Sequence, residues 1–349
     1  EAACTHLYHT FLRLMEQIRN REFTPNIVYR GEEPVEYGVF PYQQFGSEYR
    51  SETFDSVSVM LETYYATKSL LTRIHQKSSD LRRVVQTALE RNRKKYNIQK
   101  KQLNDTAKKD KFKIYGELIN TYGYGLEEGC RSFKALNYYT NEEITIPLDP
   151  TLTPAQNSKK YFDKYGKLKR TCEALSKLTV EVRDEIDHLE SIQNALDIAQ
   201  SEDDLAQIRE EMMESGYIRR KGNVKKARFK SHPLHYVNPD GFHIYVGKNN
   251  FQNDELTFQF ATGNDWWFHA KGRPGSHVIV KCEGRELTDA TYEDAARLAA
   301  FYSKAKGQSK IEVDYLQKKN VKKPGGAKPG FVVYYTNYSM LIDADISRL

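Results

Sequence analysis

The sequence predicts an α+β protein in which a long antiparallel coiled-coil hairpin arm with a small β tip precedes an α+β C-terminal domain with a mainly antiparallel sheet. Three observations carry this. Val57, Met60, Tyr64, Leu71, Ile74, Leu81 and Val85 recur at steps of 3, 4 or 7, and neither proline nor glycine occurs between Gly46 and Gly116. One helix of about 50 residues follows, roughly 75 Å long at 1.5 Å per residue, too long to be buried in a domain of this size without a partner helix. Tyr161, Leu168, Leu175, Val182, Leu189 and Leu196 then fall on every seventh residue, with Tyr165, Cys172, Thr179, Ile186 and Gln193 interleaved, the seam of a coiled coil. Beyond residue 232 the apolar period shortens towards two and turn residues punctuate it, as in strands.

In chain order, Leu7, Phe11, Leu14, Met15 and Ile18 give residues 1–20 an amphipathic helix. Asn26–Tyr29 and Val39–Tyr42 look like short strands of a small β segment within 23–56, too short for a core of its own. The arm spans 57–215, with helices over about 57–128 and 155–215 and a β tip at 132–154, where Ala135–Tyr139 and Ile144–Leu148 flank a polar turn. An intermolecular coiled coil is the alternative pairing. Closure within the chain adds little entropy cost over such a linker. Residues 216–231 form a basic linker with seven cations and no acid. Within 232–349, Tyr236–Gly247 reads as a hairpin around Pro239-Asp240-Gly241. Leu256–Phe260, Val278–Val280, Ile311–Tyr315 and Phe331–Tyr335 read as further strands, and Thr291–Ala305 as a helix with Ala295, Leu298, Ala299 and Tyr302 inward.

At 349 residues, with 39% hydrophobic and 29% charged residues, two or three units with long exposed helices are expected. Cys4, Cys130, Cys172 and Cys282 are far apart, with no C-x-x-C pair, which argues against a zinc site or a disulfide framework and for a reducing, cytoplasmic setting. No apolar run reaches the roughly 20 residues of a membrane span and no leader precedes the chain, so no membrane role is expected. The start at Glu1, in mid-helix, reads as a piece of something longer. From Gly216 onward 22 Lys+Arg face 13 Asp+Glu, a net +9 that points to a polyanionic partner.

The densest chemistry lies in Gly263–Val280, GNDWWFHAKGRPGSHVIV, which holds both tryptophans. As a strand it puts Asp265, Trp267 and His269 on one face and Trp266 and Phe268 on the other. One face would then pack inward and the other meet a ligand. Trp267 could stack on an unpaired base, Asp265 and His269 could bond base edges or riboses, and Lys271 and Arg273 could meet phosphates. Lys318, Lys319, Lys322, Lys323 and Lys328 sit on a Gly/Pro loop able to follow a phosphate backbone, and the G-x-x-x-x-G-K-[ST] spacing of a P-loop is absent. The bland reading of the stretch is a buried aromatic strand with satisfied histidines.

Asp240 to Asp254 (DGFHIYVGKNNFQND), Asp265-x-Trp267-x-His269 and Pro274-Gly275-Ser276-His277-Val278-Ile279 resemble the C-terminal RNA-binding module of the NFACT family of ribosome quality-control proteins. Ser56 to Tyr65, Leu148-Asp149-Pro150 and Asn157 to Lys167 extend the likeness through the arm. The resemblance adds Lys248, Asn249, Ser276 and His277 to the RNA-binding candidates. It implies that 1–22 closes a helix-hairpin-helix domain, that 23–56 belongs to an N-terminal domain otherwise absent here, and that 232–349 is the RNA-binding domain. It further implies partners: the large ribosomal subunit with its rRNA and proteins, tRNA and in particular alanyl-tRNA, and the complex obstructed by peptidyl-tRNA. There the parent protein would support template-free alanine tailing of stalled chains in the cytoplasm.

Two other classes remain as expectations to test. An adhesin binding fibronectin at the cell surface follows from the family's older description. An enzyme using Asp265 with His269 as an acid/base pair is the other, and no catalytic triad, metal spacing or nucleotide cradle supports it. The chain is therefore read as a binding protein with no catalytic residue, metal or cofactor.

Overall fold

The computed structural model describes residues 2–31, 33–42, 44–46, 49–127, 129–220 and 231–349. Most of the basic linker expected at 216–231 lies outside the described residues. The chain forms two compact units, Thr87–Asp187 and the combination of Glu1–Gln86 with His188–Leu349.

α1 (Ala2–Asn20) is helical as its spacing implies, yet Leu7, Phe11, Met15 and Ile18 are exposed, Leu7 by 71%. β1 (Asn26–Arg30), β2 (Glu33–Gly38) and β3 (Arg50–Thr53) make an antiparallel sheet in the order β2-β1-β3. The second strand arrives earlier than the expected 39–42. Gly31, at φ +62°, turns the chain so that Arg30 already pairs with Glu33.

α2 (Val57–Asp105) continues through one 3-10 turn at Thr106–Lys108 into α3 (Lys109–Tyr122). It buries Met60, Tyr64, Ile74, Leu81, Val85 and Leu89 at heptad-like steps. α4 (Pro154–Ile198) buries Tyr161, Leu175, Val182, Ile186, Leu189 and Leu196, the seam read from the sequence. The pairing is within the chain and antiparallel. Arg82 donates to the Leu196 carbonyl and pairs with Asp197, whereas further along Ser158 Oγ donates to the Gly116 carbonyl at 3.0 Å.

The second arm helix does not run unbroken to 215. It stops at Ile198 and restarts as α5 (Glu202–Glu214), because Ser201 and Asp204 form a capping box that satisfies the new N-terminus. Between α3 and α4, β4 (Ser132–Asn137) and β5 (Glu142–Pro147) form the expected hairpin tip. Ala135 and Ile146 pack with Tyr115, Leu118, Ile119 and Tyr161.

The C-terminal sheet has six strands in the order β11-β10-β8-β9-β7-β6, every neighbouring pair antiparallel. They are β6 (Leu234–Val237), β7 (His243–Val246), β8 (Trp266–Ala270), β9 (Val278–Val280), β10 (Ile311–Gln317) and β11 (Tyr338–Ile342). α7 (Asp289–Phe301) covers one face, packing on Ile244, Val246, Phe268, Val278, Val280 and Val313. Two expected strands are not strands. Leu256–Phe260 is a π-helical turn following α6 (Asn250–Glu255), closed by Ala261 N–H to the Leu256 carbonyl at 2.9 Å. Phe331–Tyr335 makes a single bridge, Val333 with Lys322, and β11 takes the edge position instead.

Gly116 lies where α3 meets α4, and a Cβ there would sit 2.8 Å from the Phe162 ring. Glycine to alanine in a helix ordinarily stabilises by up to about 1 kcal/mol. Here Gly116→Ala is expected to destabilise Thr87–Asp187 by about 1–2 kcal/mol, read as a lower urea midpoint in far-UV circular dichroism.

Candidate nucleic-acid interface

β8 alternates as the sequence implies, but both of its faces are covered. Trp266 and Phe268 lie under α7, against Tyr292 and Tyr315. On the opposite face Trp267 is 0% exposed, enclosed by Leu256, Ile279, Leu316 and Val321, with Val332 and Tyr334 packed alongside. The π turn and the 321–334 segment form this second lid. Trp267 therefore cannot stack on a base as expected from the sequence, since its whole ring is taken by internal packing. Its Nε1 has no hydrogen-bond partner among the described residues.

Asp265 is also interior, 2% exposed. It accepts from the backbone N–H groups of Thr262 (2.7 Å) and Cys282 (3.0 Å) and pairs with Lys281 at 2.5 Å. Burial alone would raise its pKa, but Lys281 and these donors outweigh that and hold it below the usual carboxylate range. It is an ionised strut, leaving no oxygen to read a ribose.

His269 and His277 pack with Trp267, their ring centroids 5.6 Å and 5.1 Å from the indole. His277 N–H donates to Asn253 Oδ1 at 3.0 Å, and its Nδ1 lies 2.8 Å from Thr257 Oγ1. Burial pushes His269 down to about 4, opposed by the Asp314 charge and the Gly275 backbone. His277 is held well below its usual value by burial and by His269. Both rings are held neutral near pH 7, and Asp265 is committed to Thr262, Cys282 and Lys281. Ser276 is buried too, its N–H on the Tyr302 carbonyl at 3.1 Å. Gly275 is required beside it, because a Cβ there would come within 2.9 Å of Ser303 Cβ.

Lys248 and Asn249 are struts as well. Lys248 Nζ bonds Asp204 Oδ1 at 2.6 Å, with both groups buried. Asn249 caps α6 through Gln252 N–H (3.0 Å) and donates to Gln207 at 2.7 Å. Asn250 bridges Ser191 and Glu211, and Glu211 also meets His188. These bonds fasten the C-terminal sheet to α5 and the end of α4.

The exposed candidates are the cations. Lys319, Lys322 and Arg273 are open to solvent, and Lys318 is half-buried with its Nζ 5.8 Å from the Phe258 ring. None of these four has a carboxylate partner among the described residues. Lys271 pairs with Glu312 and faces Asp314, Lys323 pairs with Asp254, and Lys328 lies over Tyr217. The excess charge is also more local than it looked. Seven of the 22 cations belong to 216–231, so 232–349 carries 15 against 13 acids.

Sequence reasoning missed an aromatic strip at the β6/β7 edge. His235 stacks on His243 and on Tyr245, with centroids at 5.0 and 4.6 Å, Tyr245 meets Phe260 edge-on at 4.7 Å, and Lys281 lies 4.9 Å from the Phe260 ring. The signal was present in the hairpin, where Phe242, Ile244 and Val246 point inward and leave His243 and Tyr245 on the other side.

Two outcomes test this assignment. His277 is buried and His269 half-buried; each becomes protonatable on unfolding near pH 6.5, so stability should fall as pH drops from about 6.5 towards 4, by at most about 1.4 kcal/mol per pH unit per ring. Unfolding followed by tryptophan emission between pH 7.5 and 4.5 checks it, and a flat profile would contradict it. Lys248→Ala should cost about 3–5 kcal/mol by stranding Asp204, read from the urea midpoint of the same emission.

Comparison with known proteins agrees with this architecture. Residues 1–231 match the NFACT N-terminal and middle domains, and 232–335 match the NFACT protein RNA binding domain. The Rqc2 homolog RqcH of Streptococcus suis is 41% identical over 80% of this chain and 50% of its own length. That of Bacillus subtilis is 35% identical over 96% of this chain and 58% of its own. The chain thus spans about half the length of the curated relatives it matches. The solved C-terminal part of the fibronectin/fibrinogen-binding protein from Streptococcus suis superposes with a TM-score of 0.60 at 35% identity, covering 78% of this chain and 95% of that one. With family matches running from the first residue to residue 335, the chain is a member of the NFACT family.

Proposed function

We propose that the chain acts in ribosome quality control as a non-catalytic, cytoplasmic RNA and ribosome binder, supplying the arm and the RNA-binding module. The observation that carries this reading is the charge of the arm. Residues 91–113 and 159–170 hold 16 Lys+Arg against 3 Asp+Glu. The two segments adjoin, with the Phe112 and Tyr161 rings stacked at 6.0 Å and Lys164 over both. Lys94, Lys95, Lys101, Lys164 and Lys167 are all exposed there. Such a rod suits a surface of phosphates, and the NFACT RNA binding domain match and the RqcH relatives support the same partner.

On this reading the parent protein binds a large subunit obstructed by peptidyl-tRNA and recruits tRNA, by family resemblance alanyl-tRNA, for template-free alanine tailing. A second reading, fibronectin binding, is favoured only by the name of the Streptococcus suis structural relative. No described helix is long and apolar enough to cross a membrane.

Sedimentation of the chain with purified large subunits over a salt series tests the proposal. Binding should weaken steeply with salt, and changing Lys94, Lys95, Lys101, Lys164 and Lys167 to Gln should flatten the log–log slope by about 0.7–0.9 for each phosphate no longer neutralised. Equal binding by parent and variant at every salt concentration would remove the arm from the interface. Retention on fibronectin in preference to ribosomes would favour the second reading.

A further inference from the structure

We infer that the strip formed by His235, His243, Tyr245 and Phe260 is a stacking platform for unpaired nucleotides of RNA. The inference rests on the RNA-binding reading and names the site and the form of the ligand. Four rings share one side of the β6/β7 edge, linked by the stacked and edge-on contacts described above. The central strands β8 and β9 are covered on both faces, yet here Phe260 is 41% exposed and His235 is open to solvent. Tyr245 is half-buried, and its hydroxyl makes no hydrogen bond among the described residues. What distinguishes the strip from a singly exposed ring is that four rings adjoin one another with cations beside them.

The π turn is the device that puts it there. Its wider spiral, closed from Ala261 to Leu256, buries Leu256 and Thr257 against the sheet and carries Phe260 outward over Tyr245. Cations border the rings. Lys281 lies over Phe260, Lys318 over Phe258, and Lys319, whose N–H bonds the Gly263 carbonyl at 3.1 Å, is exposed just beyond. Lys281 is itself held by Asp265 at 2.5 Å, so Lys318 and Lys319 are the cations left without a carboxylate partner among the described residues.

Aromatic faces flanked by phosphate-reaching lysines bind bases whose own faces are free. A duplex hides those faces in its stack, so the platform favours single strands, loops and chain ends. His235 Nε2 and His243 Nδ1 bond each other at 2.8 Å, which leaves the second nitrogen of each ring as the bonding group at the edge of the stack.

The test uses the full chain with a fluorescent twelve-residue oligouridine and, separately, the same length as an A·U duplex. Tyr245→Ala and Phe260→Ala together should weaken oligouridine binding roughly tenfold or more, leaving duplex binding and the salt slope unchanged. Tyr245→Phe should bind as the parent does. Tryptophan emission checks that the fold survives, and 4-thiouridine crosslinks should map to the peptides containing 235–260. Unchanged oligouridine affinity in the folded double variant would overturn the inference, as would crosslinks confined to other peptides. A parent that binds large subunits but no free single strand would overturn it while the broader reading stands. Failure of the parent to bind either would end both.

Discussion

The C-terminal half is governed by one constraint, a sheet whose central strands, β8 and β9, are closed to water on both faces. α7 seals one side and the pair of the π turn and the 321–334 segment seals the other. Polar groups caught inside had to be neutral or paired. His269 and His277 are held neutral, Asp265 and Asp204 are ionised against lysines, and Asp314 receives Tyr334 and Ser339 hydroxyls at 2.8 and 2.6 Å. Cations without a carboxylate partner were left to the rims, where they can meet a ligand.

The arm obeys a different rule. Its heptads need only a narrow apolar seam, so most of each helix surface is free to carry charge, and between 91 and 113 that charge is almost all positive. Packing and recognition are thus separated by helix face in the arm, and by distance from the centre of the sheet in the C-terminal module.

Much of this was legible in the sequence. Period seven in Tyr161 to Leu196 reports directly which side chains are buried, and the hairpin read over Tyr236 to Gly247 is formed by β6 and β7. What covers a face is a long-range fact, and no local pattern in Asp265 to His269 distinguishes a face met by protein from one met by RNA. Leu256–Phe260 has the composition of a strand, yet it continues the helix that Asn249 caps. The Ser201 capping box, by contrast, is readable as Ser-x-x-Asp, and the heptad seam itself ends at Leu196. The residues that carry the family likeness turned out to be tie-points: Gly275 against Ser303, Asn253 against His277, Lys248 against Asp204.

The joint between α5 and α6 has an evolutionary corollary. Asp204, Gln207 and Glu211 each satisfy donors on Lys248, Asn249, Asn250 and Gln252, so no member can be exchanged without stranding another in a dry interior. Drift at these positions must proceed in concert, and homologues that replace Lys248 with an apolar residue should carry a matching replacement at Asp204. A joint of that kind inherits as a block, which would keep the mounting of the sheet unchanged while the rims are free to diversify.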